Sequence, residues 1–483
     1  MPSLGCLGLL AICSQPLVRS QSADTATLLA IDREAVRAPM GYTWLEWSTR
    51  TIGHRLTGTE NGRRAEETAD SLFRVAGMHD VAYFSFEAAA WQRRSVRVEV
   101  SNSADSVIAY ATVALAMTPD SVRAHAPLVD VGNGLAVDYT LKGELVRGSI
   151  VLVNLQLINA PEGSENLHRS EKTALAIKHG AVGVLFINNV EGHVLLTGTA
   201  SVSREPITIP AACIGKEDGR ELRAWLQRDG SLRASIDMRN SNAPVTARNV
   251  IATLPGSDKS EEVIVVGGHL DSWDLATGAT DNGLGSYSII DIARCYAALG
   301  LKPRRTIKFI LFMGEEQGLL GSHAIVEEWQ KAGELDRVRC MVNMDMSGHP
   351  SGFNAFGPDP LGVKVKAAQG VMKDLDTTFA ANFSQAPGLH SDHQSFMMRG
   401  VPTMAPICDL GDHVYHCYHS SCDDVGLVDP TSMTDNVRRV GQMLWCLANA
   451  DELPAGFTDT QLRDRLKTEG LEEKLRLQNE WRW

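Results

Sequence analysis

The chain has 483 residues, 44% of them hydrophobic, and a formal net charge of −12. That length asks for two or more domains, or one large domain with an insertion. The acidic balance excludes nucleic acid as a main partner, because phosphate binding needs clustered Lys and Arg, and with no run of about 18–20 apolar residues no stable membrane span is expected.

In chain order, the apolar run Leu4 to Cys13 and the polar RSQSAD after it read as a secretory signal over residues 1–22, although no Lys or Arg precedes the run. Export to the periplasm or the extracellular space is the expectation. From Asp24 to about Gly77 the pattern is mostly helical, with a loop in HRLTGTENG. SVRVEVS and VIAYATVAL read as strands. Residues 121–238 change character and read as a small β-rich inserted domain, with RGSIVLVN, GVLFINN and IPAACI as its buried strands. The main domain is then discontinuous, over 23–120 and 239–455.

After residue 239 strands and helices alternate. EEVIVVGG, RTIKFILFMG, VRCMVNMD and VPTMAPI are the strands, and a helix capped by Asp429 or Thr431 closes the series. The expected fold class is α/β, a mostly parallel central sheet with helices on both faces, plus the smaller insert. Residues 456–483 read as a charged surface tail without legible chemistry.

Functional groups of such a sheet gather beyond the carboxyl ends of its strands. His269 and Asp271 follow VIVVGG, Glu315 and Glu316 follow IKFILFMG, Asp345 follows CMVNM, and His419 lies in the loop before the last helix. The set suits two divalent cations, which need a bridging carboxylate. Asp281, in the small-residue loop TGATDNG, is the candidate bridge. Imidazole with carboxylate suits zinc, so two Zn²⁺ per chain are expected. His269 and Asp345 would hold one, Glu316 and His419 the other. Asp271 is the candidate partner of the second His269 ring nitrogen, and Asp423 that of His419. Glu315 is free to move a proton.

Taken alone, each signal has an ordinary explanation. Paired glutamates opening a helix suit its dipole, Asp274 reads as capping or solvating its loop, and His349, His390, His393, His413 and His416 all compete with His419. The convergence at successive strand ends is what points to a site. No GxSxG nucleophile elbow occurs. Seven cysteines outside the signal are scattered and read as free buried thiols, a local disulfide among Cys408, Cys417 and Cys422 being the alternative.

NVIATLPG, GGHLDSWD, GATDNG, GEEQGLLGS, NMDMSG, SDHQSF before GVP, and YHSSCDD resemble, in order, the motifs of metallopeptidase family 28. The resemblance implies a co-catalytic zinc exopeptidase acting on short peptides or dipeptides, with a protease-associated insert and a homodimer as one assembly state. HLDSWD and LGLKPRRTIKFILF are similar to an insert-bearing branch of carboxypeptidase or dipeptidase type. An aminopeptidase is the alternative; a receptor-like binding protein and a glutaminyl cyclase stand further off, since no ligand type is lost. Residue by residue, the resemblance implies zinc ligands at His269, Glu316, Asp345 and His419, the bridge at Asp281 and the general base at Glu315. The chain departs from that branch at Tyr418, where a second histidine is usual, in the spacing of Asp345, and at Ser391 before Asp392. Asp392 receives no role beyond support of the site.

Overall fold

The computed structural model describes residues 15–483, with side chains from Thr25 onward; the Leu4–Cys13 run of the expected signal lies outside the described residues. No described helix is long and apolar enough to cross a membrane.

Two long strands organise the chain. β1 (Asp80–Ser101) leads through β2 (Val107–Tyr110), β3 (Thr112–Ala114), β4 (Ser121–Gly132), β5 (Ile150–Asn154), β6 (Gly183–Ile187) and β7 (Ala211–Ile214) to β8 (Arg233–Leu254). β1 and β8 pair antiparallel from Asp80↔Thr253 to Ser101↔Arg233, with a register shift between Arg93 and Ser95. The expected domain limit at 238/239 therefore falls inside an unbroken strand. The Arg233 end of β8 joins the insert through β4, and its Leu254 end joins the main sheet through β10.

The main sheet continues with β9 (Lys259–His269), β10 (Arg305–Phe312), β11 (Val338–Asn343), β12 (Gly352–Phe356), β13 (Asn382–Ser384) and β14 (Thr403–Ile407). Its centre, in the order β14-β11-β9-β10, is parallel. The β10–β8 and β12–β14 pairs are antiparallel, so the sheet is mixed at its flanks. β12 and β13 escape sequence reading because they are short and partly polar.

The apolar runs are continuous because both faces are covered. Ile264 and Val266 point into one core with Ile307, Phe309 and the helices Leu284–Ala298 and Pro430–Asn449. Val263 and Val265 point into another with Ile310, Phe312, Ile325 and Trp329. The period of two sends neighbours to opposite faces. The insert repeats the plan: Ile150 and Leu152 face Leu222 and Trp225, while Val151 and Val153 face Leu175 and Ala176. Asp429 caps the last long helix by accepting from the Thr431 amide.

The tail is more than a charged surface segment. Its helices Asp459–Thr468 and Glu472–Leu477 bury Leu462, Leu466 and Leu475 against Phe356, Met397 and Met398.

Candidate metal centre

β11, β9 and β10 lie side by side and parallel, so their carboxyl ends share one edge. β9 ends at His269, Asp345 lies two residues past β11, and Glu315 and Glu316 follow β10 by three and four. Gly268 is required there: a Cβ on it would lie 2.3 Å from the Met344 carbonyl oxygen. His419 comes from a separate loop, in the left-handed region at φ 52°, which a non-glycine residue adopts at a cost.

The five candidate ligands meet. Asp281 Oδ1 lies 3.1 Å from His269 Nε2, and Oδ2 lies 2.9 Å from His419 Nε2. Asp345 Oδ1 is 3.3 Å from His269 Nε2, and Glu316 Oε2 is 3.1 Å from His419 Nε2. One carboxylate thus faces two imidazoles, each with a further carboxylate. None of the four carboxylates at this edge, Glu315 included, is ion-paired to Lys or Arg among the described residues. Ligand atoms of His269, Asp281 and Glu316 all lie within 4.8 Å of one another. Crowded carboxylates without compensating Lys or Arg, Asp281 and Glu316 among them buried, form beside imidazoles a donor set that fits zinc. His349, His393, His413 and His416 form no ion pair with Asp281 or Glu316; His349 turns to Asp429 and Asp435.

Electrostatics follow from crowding. Burial pulls the His269 imidazole down, but the Asp345 and Glu315 charges prevail and hold it well above its usual range. Burial pushes the Glu315 carboxyl well up, with Asp345 and Glu316 adding to it against the opposing His269. Burial raises Glu316 to about 7, although His419 opposes it. Bound cations reverse this logic and favour the carboxylates.

Several supports differ from expectation. His269 Nδ1 bonds to the main-chain oxygen of Asp271 at 3.0 Å, whereas the Asp271 carboxylate stands 3.7 Å away. That carboxylate instead accepts the Glu315 amide at 3.2 Å, so it positions Glu315 through its main chain. Asp423 does not reach His419, whose Nδ1 has no partner among the described residues. Its Oδ1 accepts from the Thr280 amide (2.8 Å) and hydroxyl (2.6 Å), and its Oδ2 from the Asp281 amide (3.1 Å). Asp423 therefore fixes the loop that carries Asp281, because two amides and a hydroxyl prevail over a single ring nitrogen. Asp274 does not merely solvate its loop: it pairs with Arg93, which also reaches Thr197 of the insert at 2.9 Å.

Three further supports appear, of which the sequence offered only a local disulfide, as its alternative reading. Arg55, from IGHRLTGTENG, is fully buried and donates to the carbonyls of Leu270 (2.6 Å), Thr277 (2.7 Å) and Gly278 (2.8 Å). It braces the loop between His269 and Asp281. Ser391 donates to Asp345 Oδ2 at 2.6 Å and accepts from Asn343 at 2.7 Å. Cys417 and Cys422 are disulfide-bonded, not free, and close a ring around Tyr418 and His419. Their Cα atoms, 5.1 Å apart across a tight turn, lie within disulfide reach.

A cavity of about 160 Å³ opens over the cluster. Insert residues Arg169 and Arg204 line it, as do Gln478 and Glu480 of the tail, together with Glu315 and the candidate ligands. The insert thus stands at the rim, not behind the sheet.

A His, Asp and Glu donor cluster on this sheet edge, overhung by an insert, defines a candidate metal centre. Residues 249–444 match the Peptidase family M28 profile, and residues 124–222 match the PA domain. The chain is thus similar to peptidase family M28 over 249–444, with a PA-domain region at 124–222 ahead of it. It is similar to carboxypeptidase Q of Bos taurus, 26% identical over 390 residues, covering 79% of this chain and 80% of the relative. Its fold resembles that of a peptidase M28 precursor from Shewanella amazonensis, with a TM-score of 0.77 and 23% identity over 91% of this chain and 100% of the other. A zinc aminopeptidase from Bacillus subtilis shares the fold at TM-score 0.64 and 22% identity, over 87% and 98%.

Proposed function

We propose that the chain is an exported dizinc exopeptidase that trims short peptides or dipeptides from the carboxyl end. The observation that carries the choice of end is Arg169. Its side chain lines the cavity, is 7% exposed, and has no hydrogen-bond or ion-pair partner among the described residues. The guanidinium packs over Gly198, where a Cβ would sit 2.0 Å from Nε. A buried unpaired guanidinium is costly, and its planar fork matches a carboxylate bidentately. The free carboxyl terminus of a peptide supplies that partner. An aminopeptidase needs a free carboxylate for the substrate amine. Outside the donor cluster the acidic residue lining the cavity is Glu480, which Arg204 already engages at 2.6 Å.

His269, Asp345, Glu316 and His419, with Asp281 shared, would hold the ions. When bound they supply Lewis acidity and lower the pKa of the attacking water. Glu315, positioned through its amide by Asp271, takes the proton as water attacks the carbonyl and returns it to the departing amine. The cavity is smaller than the ~300–1,000 Å³ of sites for drug-sized ligands, which favours short substrates. Export accords with the N-terminal run and with the Cys417–Cys422 disulfide.

Arg169→Met is expected to lower kcat/KM for peptides with a free carboxyl terminus by roughly 10–100-fold, the worth of a charge-assisted pair, and to leave amidated peptides unaffected. A mass-spectrometric screen of peptides blocked at either end checks this. Cleavage of amidated but not of acetylated peptides by the unaltered protein would transfer the reading to an aminopeptidase.

A further inference from the structure

Helix Glu472–Leu477 ends in a stop of defined geometry. Asn479 is left-handed at φ 59°, the Glu480 amide donates to the Leu475 carbonyl at 2.8 Å, and the Asn479 amide to that of Arg476 at 3.2 Å. This reciprocal pair is a Schellman stop, where asparagine is tolerated in place of glycine. It reverses the chain and aims both residues flanking Asn479 at neighbouring elements. Gln478, 6% exposed, donates to Glu171 Oε1 at 2.9 Å and accepts from Gln394 Nε2 at 3.0 Å. Glu171 belongs to the insert helix Arg169–Lys178, and Gln394 to the main-domain helix His393–Met397. Glu480 accepts from Arg204 of the insert at 2.6 Å. Leu477 packs on the insert core while Leu475 is buried in the main domain, and Lys474 pairs with Glu165 of the insert at 2.6 Å.

The tail thus spans the gap between the two lobes, and the two residues it presents there line the same cavity as His269 and Glu315. Building on the peptidase reading above, we propose that segment 472–483 is a wall of the substrate site and sets the length of peptide it accepts, with Gln478 and Glu480 as the specificity-determining residues. A peptide long enough to leave the cavity through this gap must break the Gln478 bridge. That strips from Oε1 of the Glu171 carboxylate, a residue 1% exposed, its one close donor and leaves it the His168 amide on Oε2 and His390 at 3.6 Å, and under-satisfying a buried charge is penalised. A dipeptide leaves the bridge in place. The discrimination therefore rises with chain length and is insensitive to the side chains of the substrate.

The test is a ladder of alanine peptides from two to six residues, with kcat/KM measured for each on the full-length, zinc-loaded protein. Gln478→Ala combined with Glu480→Ala keeps Leu475 and Asn479, and with them the anchor and the turn. Relative to the unaltered protein, its tetrapeptide-to-dipeptide ratio of kcat/KM is expected to rise on the order of tenfold. An unchanged ratio in a variant with full metal content overturns the proposal. Should that variant fail to fold, Gln478→Ala alone removes the bridge and keeps the Glu480–Arg204 pair, and the same rise or its absence decides. Peptides blocked at each end, run on the unaltered protein, report which terminus is used, so failure of the carboxyl-end reading appears there and not in the length ratio.

Discussion

Glu315→Gln is expected to retain its full metal content and to lose about 10²–10⁴-fold in kcat, the usual worth of a positioned general base. The reasoning is local. Glu315 lines the cavity beside the ligands yet forms no ion pair with His269 or His419, whereas its neighbour Glu316 sits against His419. Adjacent residues on an irregular turn after β10 point apart, so the two carboxylates do separate work. The amide keeps the volume of the side chain and its main-chain bond to Asp271, and removes only the capacity to accept a proton. Metal counting beside steady-state kinetics separates this from a ligand role. A variant that keeps both ions and turns over at a near-normal rate would end the assignment, and one that loses an ion would make Glu315 a ligand.

The second large effect belongs to His419. His419→Ala is expected to bind about one equivalent of zinc instead of two, since a structural or catalytic zinc rarely holds with fewer than three protein ligands. Glu316 and one oxygen of Asp281 would be what remains at that position. His416→Ala and His393→Ala should keep both ions. His416 sits on the short helix Asp412–His416, and burial drives the His393 imidazole down to about 4 on a different helix. Two full equivalents bound by the His419 variant would refute the choice. Hydrolysis should fall with the lost ion, because the bridging carboxylate then serves a single cation.

The site was legible because a sheet buried on both faces leaves its strand ends as the place for charge. Uninterrupted apolar runs located β9, β10 and β11, and the polar residues just past each run are those that converge. The supports were less legible, and for identifiable reasons. Asp423 lies four positions from His419, and closeness in sequence suggested a pairing that the Thr280 and Asp281 amides win. Arg55 is one arginine in a polar stretch, and nothing local shows that three carbonyls more than two hundred residues away will surround it. Gln478 meets partners 84 and 307 positions distant, so its segment reads as solvated charge. Of the long β1 only the SVRVEVS end was read as a strand; its first part is mostly exposed or half-buried, with Phe86, Ala90 and Trp91 buried, and so does not carry the signal of a buried strand.

The paired β1 and β8 have a mechanical consequence. Domain closure requires a hinge, a few residues that absorb a large change in φ and ψ. Here the connection between lobes is a double strand whose ladder continues from one sheet into the next. Its register shift, at Arg93, is clamped to Asp274 and Thr197. Swinging the insert away would mean breaking that ladder rung by rung. The aperture is therefore cut when the chain folds, and the length selection proposed above would work as a fixed gauge, not as jaws that shut on a peptide.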